Sequence, residues 1–216
     1  MKPREPWAQL VDTLHRNEVG LVVDVGANLG QYARILRREG WQGRILSIEP
    51  IPEIRAELAA AAADDPGWTV LPPMAMGDHI GTAILEVSAE TDMSSLLPQN
   101  DLLREVSPSS HIERRIAVPL QRLDALPELR DEQRLFLKLD VQGAEPQALA
   151  GAEGLMGRVI GLQVEMALVP VYAGERLWTE TIGALGAAGF DLHLLIPGYY
   201  ERKLGRQLQV DGVFYR

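Results

Sequence analysis

The sequence contains no cysteine, which excludes disulfides and thiolate metal sites and leaves no need for an oxidising compartment. It also lacks any apolar run long enough to span a bilayer, and the opening MKPREPWAQLV is basic without the apolar stretch of a signal peptide. Nor is there a basic excess. A net charge of −9 repels phosphate backbones and anionic membranes, and no local basic patch offsets it. Nucleic acid and membrane partners are therefore not expected, and a cytoplasmic protein acting on a small molecule is. No repeat or linker divides the chain. Its 216 residues, 46% hydrophobic and 24% charged, are expected to form one domain over residues 1–216 with a substantial core. Nothing in the composition sets an oligomeric state.

What the chain does have is alternation. Apolar runs of strand length at Leu21 to Val25, Arg44 to Ile48, Trp68 to Met74, Leu135 to Leu139 and Val159 to Val164 are separated by helical patterns, which predicts an α/β fold with a mostly parallel sheet covered on both faces. The helices are expected near Trp7 to Arg16 within an N-terminal segment 1–19, and at Tyr32 to Glu39, Glu53 to Ala63 and Gln147 to Met156. Asp191 to Ile196 and Gln209 to Tyr215 read as a terminal antiparallel pair. Between residues 77 and 118 the alternation lapses. GDHIGTAILEVS there predicts a β-hairpin turning near His79 to Gly81, and the Ser- and Pro-rich stretch that follows predicts a functional loop or lid.

The first predicted strand runs into VDVGANLGQYA. In a doubly wound sheet the ligand crevice lies beyond the carboxyl ends of the strands, so this turn faces it. Gly26 and Gly30 permit positive φ and close backbone approach. A dinucleotide fingerprint would place glycines where Asn28 and Gln31 stand, which disfavours a nicotinamide dehydrogenase. A nucleoside ligand without a pyrophosphate fits better, with Asp24 able to attract a cationic group. Glu49 ends the second strand, near the offset at which an acid meets ribose hydroxyls.

DVGANLGQYA, SIEP, AMGDHIGTA, SSL, LD and KLDVQGAE together resemble the FkbM family of S-adenosylmethionine-dependent methyltransferases, over about Val22 to Tyr172. The resemblance implies a class I methyltransferase fold, Rossmann-like, with seven strands of which the last is antiparallel, and a hairpin and loop insertion after the third. It implies S-adenosylmethionine as cofactor and methyl transfer to a hydroxyl, commonly on a sugar or other natural product. By the same resemblance, Asp24, Gly26, Asn28 and Gly30 would line the methionine and ribose end of the cofactor, and Glu49, with Pro50 nearby, would hold the ribose. Met76, Gly77 and Asp78 would lie near the adenine, with Ser94 and Ser95 as the family's serine pair. Gly77 and Asp78 read equally as a turn, and the two serines as a helix cap.

Asp140, closing the fourth strand in LKLDVQGAE, is expected beside the methyl donor. An alcohol is a poor nucleophile at neutral pH, so a carboxylate, histidine or metal ion near it is useful. Glu165 ends the fifth strand and is expected to share a crevice with Asp140, since neighbouring strands lie about 4.8 Å apart. Such a pair would raise one pKa or recruit a divalent cation. Lys138 lies on the same side as Asp140 and is expected to pair with a carboxylate such as Glu165. Glu145 reads as a helix N-terminal acid or a third candidate base. His111 and His193 are weaker base candidates, Arg114 and Arg115 read as a solvated charged face, and Tyr172 is expected in a loop covering the substrate. Three readings stand: an O-methyltransferase acting on a small hydroxylated acceptor with Asp140, Glu165 and Lys138 as catalytic residues and no dedicated metal site; a metal-assisted version with Asp140 and Glu165 as ligands; and a noncatalytic cofactor-binding or partner module.

Overall fold

The computed structural model describes residues 5–216; the first four residues of the expected N-terminal segment lie outside it. A seven-stranded sheet forms its centre, in the order β3-β2-β1-β7-β8-β12-β9. Its strands are β1 (Leu21–Val25), β2 (Arg44–Ile48), β3 (Trp68–Val70), β7 (Leu135–Leu139), β8 (Val159–Ala167), β9 (Asp191–Pro197) and β12 (Gln209–Tyr215). All run parallel except β12, which pairs antiparallel with both β8 and β9. This is the mostly parallel sheet that the alternation predicts, with the last strand antiparallel as the family resemblance implies.

Helices cover both faces, and strand alternation decides which residues each face receives. On one face Val23, Leu46, Leu137, Leu162 and Val164 pack with Ala148 of α5 (Glu145–Ala150) and Leu185 of α6 (Trp178–Ala187). On the other, Val22, Ile45, Phe136 and Tyr215 pack with Leu10 and Leu14 of α1 (Pro6–Arg16), Leu36 of α2 (Gln31–Arg38) and Leu58 of α3 (Pro52–Ala62). Toward the carboxyl ends of the parallel strands this second face turns polar. Ser47, Asp24, Lys138 and Gln163 lie side by side in register. Two residues further along come Glu49, Gly26, Asp140 and Glu165, with Asp211 of β12 in register beside Glu165.

Several boundaries depart from expectation for physical reasons. The third strand stops at Val70 because Pro72 and Pro73 follow and cannot donate to a ladder. Ala75–Met76 is a separate strand, β4, in a small second sheet of order β4-β6-β5, with β5 at Gly81–Ser88 and β6 at Ile112–Gln121. The chain does bend at Asp78 to Ile80, but the strands on either side pair with β6 rather than with each other. Between β5 and β6 the Ser/Pro-rich stretch contains α4 (Asp101–Val106), capped by the Asn100 side chain accepting from the Leu103 N–H at 3.0 Å. The helix expected to reach Met156 ends at Ala150, where Gly151 passes so close to the Gly77 carbonyl oxygen that a Cβ would lie 2.0 Å from it. Helix α6, with glycines at 183 and 186, carried no periodic signal strong enough to be predicted. No helix among the described residues is long and apolar enough to cross a membrane.

Gly30 shows how the first turn is locked. Its φ is +80°, and a Cβ there would lie 2.6 Å from the Trp68 ring and 2.8 Å from Leu58. Gly30→Ala is expected to cost about 3 kcal/mol, combining a strained backbone with overpacking, and to lower the melting temperature by roughly 6–12 °C. Calorimetry checks this; a melting temperature within a degree of the parent would refute the account of the turn.

Candidate active site

The polar rows open into a cavity of about 380 Å³ at the carboxyl ends of the strands. Of the residues expected in the site, Gly26, Asn28, Glu49, Pro50, Met76, Ser94, Lys138 and Asp140 line it. Asp24, Gly30, Gly77, Asp78, Ser95 and Glu165 are not part of its wall.

Each of these six has a different position. Asp24 is fully buried beneath the wall, behind Lys138. Gly30 faces Trp68 and Leu58 rather than open space. Gly77 packs on Leu120, and Asp78 is exposed and paired with His79 at 2.6 Å, so both serve the turn. The Ser95 hydroxyl donates to the Gln142 carbonyl at 2.6 Å and accepts the Leu97 N–H, tying the insertion to the loop after β7. Glu165 lies under two amides, accepting from Gln142 Nε2 at 3.0 Å and from Gln209 Nε2 at 2.8 Å.

The expected pairing of Lys138 with Glu165 is corrected. Lys138 stands in register with Asp24 on one side and Gln163 on the other, so its ammonium reaches Asp24 Oδ1 at 3.2 Å, Asp140 Oδ2 at 3.4 Å and the Gly26 carbonyl at 3.1 Å. It also lies 5.5 Å from the centre of the Tyr32 ring. Burial favours the neutral amine, but Asp24, Asp140 and Asp211 outweigh it and hold Lys138 protonated with a raised pKa. Asp24 and Lys138 thus form a charge-assisted pair at 3.2 Å, both side chains being buried.

Glu49 is held by its own turn. Its two oxygens accept the N–H groups of Ile51 (2.8 Å) and Asn28 (2.9 Å), leaving a second lone pair on each oxygen. Burial pushes its pKa up to about 7, against those two hydrogen bonds. Asn28 sits at φ +45°, a conformation its short amide tolerates, and donates through Nδ2 to Thr91 in the insertion at 3.1 Å. Asn28 thus joins the first turn to the insertion.

Gln142, which the sequence reading passed over, organises the far side. At φ +55° its Nε2 donates to Asp140 Oδ1 (2.9 Å) and Glu165 Oε2 (3.0 Å), while its Oε1 accepts from Tyr172 (2.8 Å). An amide therefore occupies the position between the two acids that a bridging cation would take. Among the described residues no group of three or more His, Asp or Glu side chains is placed to hold a metal ion. Burial, then Asp140, Glu145 and Asp211, raise the Glu165 pKa well above the ordinary range. Tyr172 is buried under the insertion as a structural strut. Glu145 accepts the N–H groups of Val141 and Gly143 and is pushed by burial up to about 8. His111 and His193 are exposed and outside the cavity wall. Arg114 pairs with Glu53 and Arg115 with Glu86 on the surface.

Trp7, Tyr32, Gln163 and Asp211 also line the wall and were not expected there. Asp211 carried a signal: it is the one acid within the apolar terminal strand QVDGVFY.

The profile of the methyltransferase FkbM domain matches residues 24–192. The chain belongs to the FkbM methyltransferase family. It is accordingly an S-adenosylmethionine-dependent methyltransferase. No curated protein matches the chain. Among solved structures it is similar to a pericyclic reaction enzyme (TM-score 0.50, 14% identity, covering 100% of this chain and 49% of that one). It is also similar to a precorrin-6y C5,15-methyltransferase from Geobacter metallireducens (TM-score 0.49, 9%, covering 100% and 91%) and to Aeropyrum pernix fibrillarin with natively bound S-adenosylmethionine (TM-score 0.48, 12%, covering 91% and 66%). At these identities the likeness concerns the fold.

The cavity suits the family's cofactor. Ile51, Ala75, Met76, Leu85 and Leu96 give the wall an apolar stretch that suits a purine, Glu49 has acceptor capacity for a vicinal diol, and Glu49, Asp92 and Asp140 against the single Lys138 make this part acidic, which suits a cationic sulfonium.

Two predictions arise from these charges. Lys138→Met strands Asp24 in the interior and is expected to cost about 3–5 kcal/mol; adding Asp24→Asn should recover at least about 1 kcal/mol, measured by denaturant unfolding as a double-mutant cycle. Additive effects would contradict the pairing. Second, Glu49, Glu145 and Asp211 have folded pKa values above their unfolded ones, up to about 7, 8 and 6. The folded state then binds more protons between about pH 4 and 8, so stability falls as pH rises through that window. Glu49 alone should make the cofactor-free protein roughly 2 kcal/mol less stable at pH 8 than at pH 5.5 in urea unfolding. Constant or rising stability over that range would contradict it.

Proposed function

We propose that this FkbM-family chain is an O-methyltransferase that acts on a small hydroxylated molecule, a sugar or another natural product. The observation that carries the reading is Asp140: its carboxylate stands in the middle of the cavity wall, about a third exposed, steadied by Gln142 on one oxygen and Lys138 on the other. A hydroxyl holds its proton tightly at neutral pH, so its methylation is helped by a positioned proton acceptor, and the place of Asp140 supports that role. When bound, S-adenosylmethionine would supply an electrophilic methyl group to the acceptor oxygen, the electron pair of the sulfur–carbon bond staying on sulfur; the hydroxyl proton passes to the Asp140 carboxylate.

The protein's part is placement and proton handling. Glu49 takes the ribose hydroxyls and the turn Gly26 to Asn28 borders the methionine end. Asp24 acts indirectly, holding Lys138. Lys138 in turn fixes Asp140 and compensates its charge, making it a positioning residue. Glu165, beneath Gln142, fixes the amide that orients Asp140 rather than meeting the acceptor itself.

The test is incubation with methyl-labelled S-adenosylmethionine and a panel of methyl glycosides matched to aminoglycosides, with product analysis. Label on oxygen is expected; label on nitrogen alone would overturn the reading, and cofactor binding without transfer to any acceptor would favour the noncatalytic module. Asp140→Asn should lower kcat at least about 100-fold. Glu49→Gln should instead weaken S-adenosylmethionine binding about tenfold or more by calorimetry, and full affinity in that variant would remove Glu49 from the ribose.

A further inference from the structure

The cavity is longer than the set of residues that the family resemblance assigns to it. Glu49 follows β2 and Asp211 lies on β12, with β1, β7 and β8 between them, a span of about 19 Å at the usual strand spacing. The half beyond Asp140 is bounded by Trp7 from α1, Tyr32 and Ile35 from α2, Pro197 and Gly198 at the end of β9, and Asp211.

We propose that this half is the acceptor subsite and that it takes a neutral, hydroxyl-bearing ring, seated against Trp7 with a hydroxyl donating to Asp211. The proposal rests on the hydroxyl-acceptor reading above and names its substrate class.

Three observations carry it. The first is shape and polarity. Trp7 is only partly buried and contributes to the wall, with Tyr32 packed edge-to-face against it at 6.0 Å and 70°. An aromatic surface bordering Ile35 and the backbone of Gly198 suits the apolar face of a saturated ring.

The second is the state of the carboxylate. Asp140 has one oxygen bonded by Gln142 and the other against Lys138, and Glu165 lies under two amides. Asp211 lines the cavity with Gln163 as its hydrogen-bonding neighbour, and Gln163 has its own oxygen taken by the Tyr32 hydroxyl at 3.0 Å. An ionised carboxylate only accepts, so what it recognises must donate. Burial, and then Asp140, push Asp211 up to about 6 while Lys138 and Gln163 oppose them, which leaves it mostly ionised, and so an acceptor, at neutral pH.

The third is what the wall lacks. Lys138 is the only cationic side chain lining the cavity among the described residues, and its ammonium is already shared among Asp24, Asp140 and the Gly26 carbonyl. A phosphate or carboxylate on the acceptor would meet acids with no free cation to receive it, so an anionic ring is rejected by the same charges that favour the cofactor.

The test uses methyl β-D-glucopyranoside as the neutral probe and glucose 6-phosphate as the anionic one, each added at millimolar concentrations to the protein saturated with S-adenosylhomocysteine and followed by saturation-transfer NMR. The expected result is binding of the pyranoside, weakened at least tenfold in Trp7→Ala and in the near-isosteric Asp211→Asn, and binding of the phosphate at least tenfold weaker than the pyranoside. S-adenosylhomocysteine affinity, measured by calorimetry, should stay within about twofold in both variants. The proposal is overturned if the pyranoside does not bind, if its binding ignores both substitutions, if the phosphate binds equally well, or if cofactor-product affinity falls in step with pyranoside binding. The two readings fail separately: label on amines alone sinks the hydroxyl acceptor wherever the pyranoside sits, and indifference to Trp7 and Asp211 sinks the subsite whichever acceptor is labelled.

Discussion

A single buried ammonium holds the active-site end of this sheet together. Parallel strands packed on both faces ordinarily carry apolar side chains throughout, yet here one face presents Asp24, Lys138, Gln163, Asp140, Glu165 and Asp211 within two adjacent rows. Carboxylates so close together on a largely buried face would repel one another or take up protons. Lys138 sits among Asp24, Asp140 and the Gly26 carbonyl and compensates for part of that cost. Because it joins the β1 turn to the end of β7, it also fixes the two loops that border the cavity. Gly26 is required at the same junction: a Cβ there would lie 1.8 Å from the Asp140 carbonyl oxygen.

Around that ion pair the remaining polar groups form a continuous frame. Gln142 couples Asp140 to Glu165 and passes the connection through Tyr172 to the Met93 carbonyl of the insertion, while Ser95 bonds the Gln142 backbone. Asn28 reaches the same insertion through Thr91. The insertion is thus bonded to both the first turn and the loop after β7. Such a network is costly if half satisfied, which accounts for the partner that nearly every member has among the described residues; Asn28 and Gln142 hold positive φ within it.

Much of this was legible in the sequence. Strand-end acids stand out because they interrupt apolar runs, so Asp24 and Glu49 could be placed at the crevice from their positions, and the alternation gave the mostly parallel sheet; the seventh strand's antiparallel insertion and the place of Asp140 beside the methyl donor came from the family resemblance. What could not be read was lateral register. Lys138 pairs with Asp24, 114 residues earlier, because two strands align at those positions, whereas proximity of strands alone suggested Glu165. Gln142 was hidden inside a recognisable motif, since an uncharged amide has no evident role until its two carboxylates are seen. Trp7 was invisible because an aromatic residue at the start of an amphipathic helix is ordinarily core. Gly30 had the expected conformation for a different reason, the approach of Trp68 and Leu58 rather than of a ligand.

The division of the cavity into a cofactor half at Glu49 and an acceptor half at Asp211 is the central claim, and a crystal structure with S-adenosylhomocysteine tests it most directly. The account predicts ribose hydroxyls on Glu49, the adenine in the slot beside Met76 and Leu85, the sulfur facing Asp140, and open space between Trp7 and Asp211. Electron density for the adenosine or the amino-acid tail filling the Trp7 and Asp211 half would contradict it.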